Sequence, residues 1–168
     1  NCVANGKILQ KEIFDKVWIQ PAAGDAGGSL GAALALWHNE LNNERIINHQ
    51  DSMKGSYLGP EFDQIEIERN LKKMGANFLV LTEKELIENV SKDLVEGSAI
   101  GWFQGRMEFG PRALGSRTII GDSRSPETQK TINLKIKYRE SFRPFAPSIR
   151  EENISDYFDI DRPSPYML

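Results

Sequence analysis

Residues 105–117, which read GRMEFGPRALGSR, constrain the fold of this chain more than any other stretch. They follow an apolar run, and their Gly-Pro pair excludes one continuous helix, because proline lacks the amide donor and crowds the preceding turn. We therefore predict that a strand ends in a glycine-rich loop that carries Arg106, Arg112 and Arg117.

Such an arginine-bearing loop is suited to an anion. Glycines let backbone amides approach the ligand, and guanidinium groups bind phosphate or carboxylate oxygens in pairs. The alternative is a solvated basic loop without a ligand. Residues 101–150 hold ten Lys and Arg against four Asp and Glu, whereas the rest of the chain holds 11 basic and 20 acidic residues. Positive charge focused in this way predicts a small-anion site rather than a broad nucleic-acid face.

The composition is that of an ordinary soluble globular protein, with 39% hydrophobic and 27% charged residues in a chain of 168. No apolar run approaches the roughly 20 residues that span a bilayer, so we expect no membrane contact and a cytoplasmic location. Cys2 is the only cysteine, which excludes an intramolecular disulfide and disfavours a zinc site. The first residue is not methionine and the last residues are apolar, which indicates a sequence cut from a longer one.

Apolar runs and glycine or proline stops predict strands alternating with helices, hence an α/β fold, with α+β as the alternative. Strands are predicted over 17–19, 78–81, 99–103 and 118–120. Helices are predicted over 32–41, 62–74, 82–95 and 126–136. Thr82 and Glu85 have the spacing of a capping box. The polar composition of residues 42–60 predicts a connection between two domains.

A second group of cations follows the last of these helices. The segment KYRESFRPFAPS carries Lys137, Arg139 and Arg143 among aromatic residues. It is either the second wall of the anion site or a basic surface loop on an aromatic core.

The segment GDAGGSLGAAL near the start predicts a strand, a tight glycine turn and a helix. Its glycine spacing matches neither a dinucleotide fingerprint nor a P-loop. Asp25 either caps the helix or faces a metal or nucleotide ligand. His38 and His49 are predicted to have surface or packing roles rather than to bind a metal.

Four segments together, NCVANGKI, GDAGGSLGAAL, GRMEFGPRALGSR and KYRESFRPFAPS, resemble the O-carbamoyltransferase family of nodulation and antibiotic-tailoring enzymes. The resemblance covers essentially the whole chain. It implies that residues 1–45 are the closing strand, turn and helix of an ATPase-like domain of the actin/Hsp70 type. It also implies that residues 46–168 are most of a smaller C-terminal domain with a YrdC-like mixed sheet and helices.

The family resemblance implies a reaction in two steps. Carbamoyl phosphate and ATP, with Mg²⁺, give carbamoyl-adenylate and pyrophosphate, and the carbamoyl group then passes to a hydroxyl acceptor in the ATPase-like domain. Fixed cations would offset the repulsion between two polyanionic substrates. The residues expected to supply that charge are Arg106, Arg112, Arg117, Lys137, Arg139 and Arg143. Ser116 and Asn133 are expected to hydrogen-bond the carbamoyl amide or a phosphate oxygen.

The resemblance also assigns roles near the start of the chain. Asn1 and Asn5 fall in a strand-turn that contacts adenosine, and Gly27 and Gly28 lie where the nucleotide is approached. Asp25 occupies the position of an aspartate ligand to iron or a similar divalent metal. A lone carboxylate does not hold such an ion, because transition-metal sites need three or more protein ligands. We therefore expect metal binding and complete carbamoyl transfer only in a full-length enzyme.

A rival interpretation is a binding module of YrdC-like fold that holds nucleotide or RNA without chemistry. RNA would favour aromatics interleaved with basic residues over a wide face. Here the cations crowd two loops and the rest of the chain is acidic, which opposes nucleic acid. Unpaired strand edges could also join two copies of the chain as a homodimer.

Overall fold

The computed structural model describes residues 2–47, 50–160 and 163–167. In these residues the helices are α1 (Cys2–Gln10), α2 (Asp25–Ala35), α3 (Gln64–Lys73), α4 (Glu83–Val95), α5 (Pro126–Thr131) and α6 (Ile154–Tyr157), and the strands are β1 (Ile100–Phe103) and β2 (Arg117–Ile120). A wider π-helical turn continues α2 over Leu36–Glu40 and α5 over Ile132–Ile136. Short 3-10 turns lie at Lys54–Ser56 and Glu151–Asn153.

The two strands form an antiparallel hairpin. Ile100 lies opposite Ile120, and Phe103 lies opposite Arg117. The arginine loop, residues 105–117, therefore connects two paired strands and ends on the first residue of β2. Both strands were predicted from the sequence and are confirmed. The mixture of helices and strands is also confirmed. The sheet seen in the described residues is this hairpin, and it is not the mixed sheet that the resemblance implies.

The predicted capping box of α4 is present. Thr82 accepts a hydrogen bond from the Glu85 amide, and the Glu85 carboxylate accepts one from the Thr82 amide at 2.9 Å, which completes the capping box of α4. Asp63 caps α3 in the same way by accepting from the Glu66 amide at 2.7 Å. Gly75 follows α3 with a φ of 66°, a left-handed conformation that favours glycine.

Other local predictions are wrong. Residues 17–19 and 78–81 have no regular secondary structure and pair with no strand in the described part of the chain. A short apolar run predicts strand conformation but not the partner that a strand needs. The region of Asn5 lies within helix α1 rather than in a strand-turn. Helix α2 begins at Asp25 rather than at residue 32, so the predicted glycine turn is part of the helix.

The segment 53–60 packs along the arginine loop. The Gly59 amide donates to the carbonyl of Met107 at 2.9 Å, and the Met107 amide donates to the carbonyl of Pro60 at 3.0 Å. The buried Ser56 accepts from the Phe109 amide through its carbonyl oxygen. Residues 53–60, which belong to the predicted interdomain connection, thus pack against one side of the arginine loop.

The N-terminal region also contacts the arginine loop. A Cβ placed on Gly110 would lie 2.6 Å from the Cβ of Ala22, so any larger residue at position 110 would collide with this turn. Gly110 has a φ of 97°, which independently favours glycine. The neighbouring Pro21 is buried.

Much apolar surface stays exposed. The accessible surface is 13753 Å², against about 8,400 Å² expected for a folded monomer of 19.0 kDa. Within the described residues, the buried aliphatic core includes Met53 and Ile132, whereas Ile46 and Leu79 are almost fully exposed. Hydrogen bonds of polar groups therefore have an unusually large share in holding the arginine loop.

The carboxylate of Glu108 organises that loop. Glu108 is only 3% exposed. Its Oε1 accepts hydrogen bonds from the amides of Leu114 at 2.8 Å, Ser116 at 2.7 Å and Arg117 at 3.2 Å. Its Oε2 lies 3.4 Å from Arg117 Nε. That contact is an ion pair rather than a directed hydrogen bond, because Oε2 is buried and accepts no hydrogen bond.

The environment of Glu108 favours its charged form. Burial alone would raise the pKa of the Glu108 carboxyl, but the amide hydrogen bonds, led by that of Leu114, outweigh burial and lower the pKa. A carboxyl whose pKa is lower in the folded state stabilises the fold above its unfolded pKa. That stability is lost as the pH falls through the folded pKa.

We expect removal of the α4 cap to destabilise the chain measurably. Thr82→Ala should lower the free energy of unfolding by about 1 kcal/mol, because it leaves an amide of the first turn without its acceptor. Urea denaturation followed by circular dichroism measures the change. Thr82→Ser keeps the hydroxyl and serves as the control. Equal stability of the Ala and Ser variants would contradict a role for the capping hydroxyl.

We expect Glu108→Gln to remove part of the acid sensitivity of the fold. At pH 7 the substitution should cost about 1–3 kcal/mol, because a charged acceptor of three amides becomes neutral. Below about pH 4.5 the wild type should lose this advantage, so the two stability curves should converge as the pH falls. Urea midpoints from pH 7 to pH 3 test this. Parallel curves would show that Glu108 does not titrate with folding.

Candidate functional site

Arg106 lies at the entrance of the arginine loop and is half-exposed. Its Nη1 donates to the carbonyl of Gly59 at 2.8 Å, and its Nη2 lies 3.4 Å from Glu61 Oε2. Arg106 lines an open groove together with Pro60, Glu61, Phe62, Asp63 and Glu66. Because three of these neighbours are acidic, the groove itself does not favour a phosphate.

Ser116 and Arg117 are turned toward Glu108. Ser116 is buried and donates its amide to Glu108. The Arg117 guanidinium faces the Glu108 carboxylate through Nε and donates from Nη2 to the carbonyl of Gly110. The positive charge of Arg117 is therefore largely balanced within the protein.

Arg112 is the exposed residue at the tip of the loop. It lies between Gly110 and Gly115, which have φ values of 97° and 115°. Across residues 2–47, 50–160 and 163–167, its side chain has neither a hydrogen bond nor an ion pair. The loop thus presents one uncompensated guanidinium on a backbone fixed at both ends.

The second cationic loop, residues 137–147, is built around Asn133. This side chain is fully buried, and its Nδ2 donates to the carbonyls of Ser141 at 3.1 Å and Arg143 at 2.8 Å. Its Oδ1 accepts from Arg139 Nε at 2.6 Å. Both amide donors of Asn133 are thus used to hold the loop.

The cations of the second loop differ in their partners. Arg139 lies over the ring of Phe145 at 4.8 Å, in cation–π contact, in addition to its bond to Asn133. Arg143 is half-exposed and pairs with Glu140 at 2.7 Å. Lys137 is exposed and, in the part of the chain that the structure describes, its ammonium group has no partner.

The structure thus divides the predicted anion site between two loops. No hydrogen bond or ion pair between the described residues joins the arginine loop to the second cationic loop. Arg112 and Lys137 are available to a ligand, and Arg143 is held by the exposed carboxylate of Glu140. Such an exposed pair contributes little, so a phosphate can compete for this guanidinium group. Arg106 is held both by the carbonyl of Gly59 and by the exposed carboxylate of Glu61.

The predicted N-terminal site is more dispersed. Asn1 lies outside the described residues, whereas Asn5 is half-buried in α1. Gly27 and Gly28 lie in the first turns of α2, and a Cβ on Gly27 would approach the carbonyl oxygen of Ala22 to 2.4 Å. Gly27 thus permits a close backbone contact, while the space around Gly28 is open.

Asp25 is exposed at the first position of α2. Gly24 is the N-cap and no side chain caps the helix, so the capping interpretation of Asp25 is wrong. No group of three or more His, Cys, Asp or Glu side chains suited to a metal was found within the described residues. Asp25 by itself therefore does not fit an iron site.

Glu108 was not singled out from the sequence, although it connects several predicted site residues. The available signal was one acid within a loop of three arginines and three glycines. An acidic residue among several arginines neutralises one of them, but the conformation of the folded loop decides which arginine that is.

Two family models match the chain. The model described as Carbamoyltransferase C-terminus matches residues 91–168, which include both cationic loops. The model described as Carbamoyltransferase N-terminus matches residues 1–34.

No helix of the described residues is long and apolar enough to cross a bilayer.

Curated relatives agree with these matches. An uncharacterized protein of Synechocystis sp. is 57% identical over 100% of this chain and 28% of its own length. Nodulation protein NolO of Bradyrhizobium diazoefficiens is 39% identical over 99% of this chain and 30% of its own length. Nodulation protein U of Rhizobium fredii is 31% identical over 98% of this chain and 26% of its own length. The chain thus spans less than a third of the length of these relatives, and it belongs to the carbamoyltransferase family.

Proposed function

We propose that this chain is part of an O-carbamoyltransferase whose C-terminal portion binds ATP and carbamoyl phosphate and forms carbamoyl-adenylate. One observation carries the proposal. Arg112 is an exposed cation without a counter-ion among the residues that the structure describes, and it is held at the tip of a fixed loop in the region matched by the C-terminal family model. Fixed cations of this kind stabilise phosphoryl charge without reorganising during the reaction.

Arg112 would bind phosphate oxygens directly, with Lys137 as a second free cation. Arg143 would exchange its exposed partner Glu140 for substrate oxygens. Arg106 would contribute less, because it is also bound to the carbonyl of Gly59 and lies in a groove with three acidic residues. Ser116 would contribute its hydroxyl to the carbamoyl amide or a phosphate oxygen, since its amide is used by Glu108.

Arg139 and Asn133 would support the second wall of the site from behind. Their mutual hydrogen bond and the stacking on Phe145 orient the loop that carries Lys137 and Arg143. Because the Asn133 side chain is fully buried, it would orient the second cationic loop without contacting the ligand itself. Mg²⁺ bound to ATP would neutralise part of the phosphate charge.

The second step would transfer the carbamoyl group to a hydroxyl-bearing small molecule. We assign that step to an ATPase-like domain of which residues 1–45 form the last part, with residues 46–168 as a YrdC-like domain. Asn1, Asn5, Gly27 and Gly28 would then contribute to the nucleotide side of that domain. Because Asp25 alone does not fit a metal ion, we derive no step through iron; further ligands would have to accompany Asp25 in a complete enzyme.

We predict that Arg112→Ala slows formation of carbamoyl-adenylate strongly. In the complete gene product, carbamoyl-phosphate-dependent release of pyrophosphate from ATP should fall about 10²- to 10³-fold, because one fixed cation at the developing charge is lost. Arg69→Ala is the matched control, since Arg69 is an exposed arginine on α3 whose side chain has no hydrogen bond or ion pair to either loop among the described residues. Its rate should equal that of the wild type.

The same assay can contradict the proposed function. Pyrophosphate release that does not depend on carbamoyl phosphate would exclude the adenylation step. Tight RNA binding with a steep salt dependence, lost in Arg112→Ala, would instead favour the RNA-binding module.

We also predict that the 168-residue chain purified by itself holds no stoichiometric iron. The reason is that Asp25 is a single exposed carboxylate at the start of a helix. Elemental analysis of the purified chain after incubation with ferrous iron and desalting measures the content. One iron atom per chain would show that the chain supplies a ligand set of its own.

A further inference from the structure

We propose that Glu108 and Arg117 are positioning residues for Arg112: the ion pair between the buried Glu108 carboxylate and Arg117 fixes the loop tip from which Arg112 binds phosphate oxygens, and it keeps Glu108 from neutralising Arg112. The inference rests on the proposed function in one respect, namely that the anion is a phosphoryl group. It assigns different roles to arginines that the sequence presents as equivalent.

The tip of the arginine loop is tied at both of its ends. Arg117 holds the carbonyl of Gly110 at the start of the tip. Glu108 holds the amides of Leu114 and Ser116 at its end. Arg112 lies between these fixed points, so one ion pair sets the positions of both ends of the tip.

Electrostatics also joins Arg117 to Glu108. Glu108 is the buried acid of the described residues, and its Oε2 accepts no hydrogen bond. Within reach of that oxygen is Arg117 Nε at 3.4 Å. A buried carboxylate needs a compensating cation, and breaking such a pair on one side leaves an uncompensated charge. Arg117 is thus committed to Glu108.

The ion pair also decides which charge the loop tip presents to solvent. With Glu108 and Arg117 balancing each other, the net charge that the loop tip presents to solvent is that of Arg112. If Glu108 were free to turn outward, it would be an acid on the same loop as Arg112 and would compete with phosphate for the guanidinium. The Glu108–Arg117 pair therefore preserves the charge of Arg112 as well as its position.

A purely structural role for Glu108 makes a different prediction. In that case a Glu108 substitution would lower stability, but its effect on anion binding would be the same with and without Arg112. A positioning role requires that the effect depend on Arg112, which a double-mutant cycle measures.

The experiment measures pyrophosphate binding to the complete gene product by isothermal titration calorimetry, in wild type, Glu108→Gln, Arg112→Ala and the double variant. We expect Arg112→Ala to raise the Kd about 30-fold. Glu108→Gln should raise the Kd about tenfold when Arg112 is present and less than about threefold when it is absent. Urea denaturation of the same four proteins shows at which temperature and pH all of them are folded.

Arg117→Lys provides a second variant in case Glu108→Gln does not fold. It keeps a positive charge opposite Glu108 but loses the planar group that also reaches Gly110, so it should weaken pyrophosphate binding in an Arg112-dependent way. Arg124→Lys is the matched control, because Arg124 makes a comparable ion pair with Asp122 at 2.7 Å outside both cationic loops. Its Kd should equal that of the wild type.

Equal factors for Glu108→Gln in the presence and absence of Arg112 would overturn the positioning role. Failure of the wild type to bind pyrophosphate would overturn it as well, because Arg112 would then not be a phosphate ligand. Since pyrophosphate binding requires no carbamoyl phosphate, a negative adenylation assay would refute the proposed reaction without deciding this result.

Discussion

The buried carboxylate of Glu108 is the interaction on which the arrangement of the arginine loop depends. Few aliphatic side chains are buried around it, so apolar packing alone does not fix a 13-residue connection between two short strands. Three backbone amides converge on one oxygen instead, and a guanidinium approaches the other. Charged hydrogen bonds to backbone are among the stronger polar interactions in proteins, and burial protects them from exchange with water.

The second cationic loop uses a different central group for the same purpose. Asn133 is neutral and holds its loop through two donors and one acceptor. A neutral amide can be buried at lower cost than a carboxylate, but it cannot balance a cation. Arg139 therefore also takes the ring of Phe145 as a partner. In both loops one arginine is bound inward, and another cation, Arg112 or Lys137, is left exposed.

Sequence reasoning succeeded where the decisive interactions are local. The capping box of Thr82 and Glu85, the proline at the start of α5 and the glycine after α3 each involve residues within one helical turn. It failed at 17–19 and 78–81, because an apolar run identifies a strand only if a partner lies beside it. The composition of residues 42–60 predicted a connection between domains, and it gave no sign that Ser56 of this segment is buried against the arginine loop.

The candidate site shows the same limit at the level of charge. Composition located the positive region, and the motif located the loop, but neither distinguishes Arg112 from Arg117, since both are arginines beside glycines. The distinction arises only when the chain turns at Gly110 and Gly115 and brings residue 117 back to residue 108. A cation that is already paired with a buried carboxylate of the protein binds a ligand weakly, because the ligand must first replace that carboxylate. Anion affinity in this loop therefore follows from which arginine the fold leaves unpaired, rather than from how many arginines the loop contains.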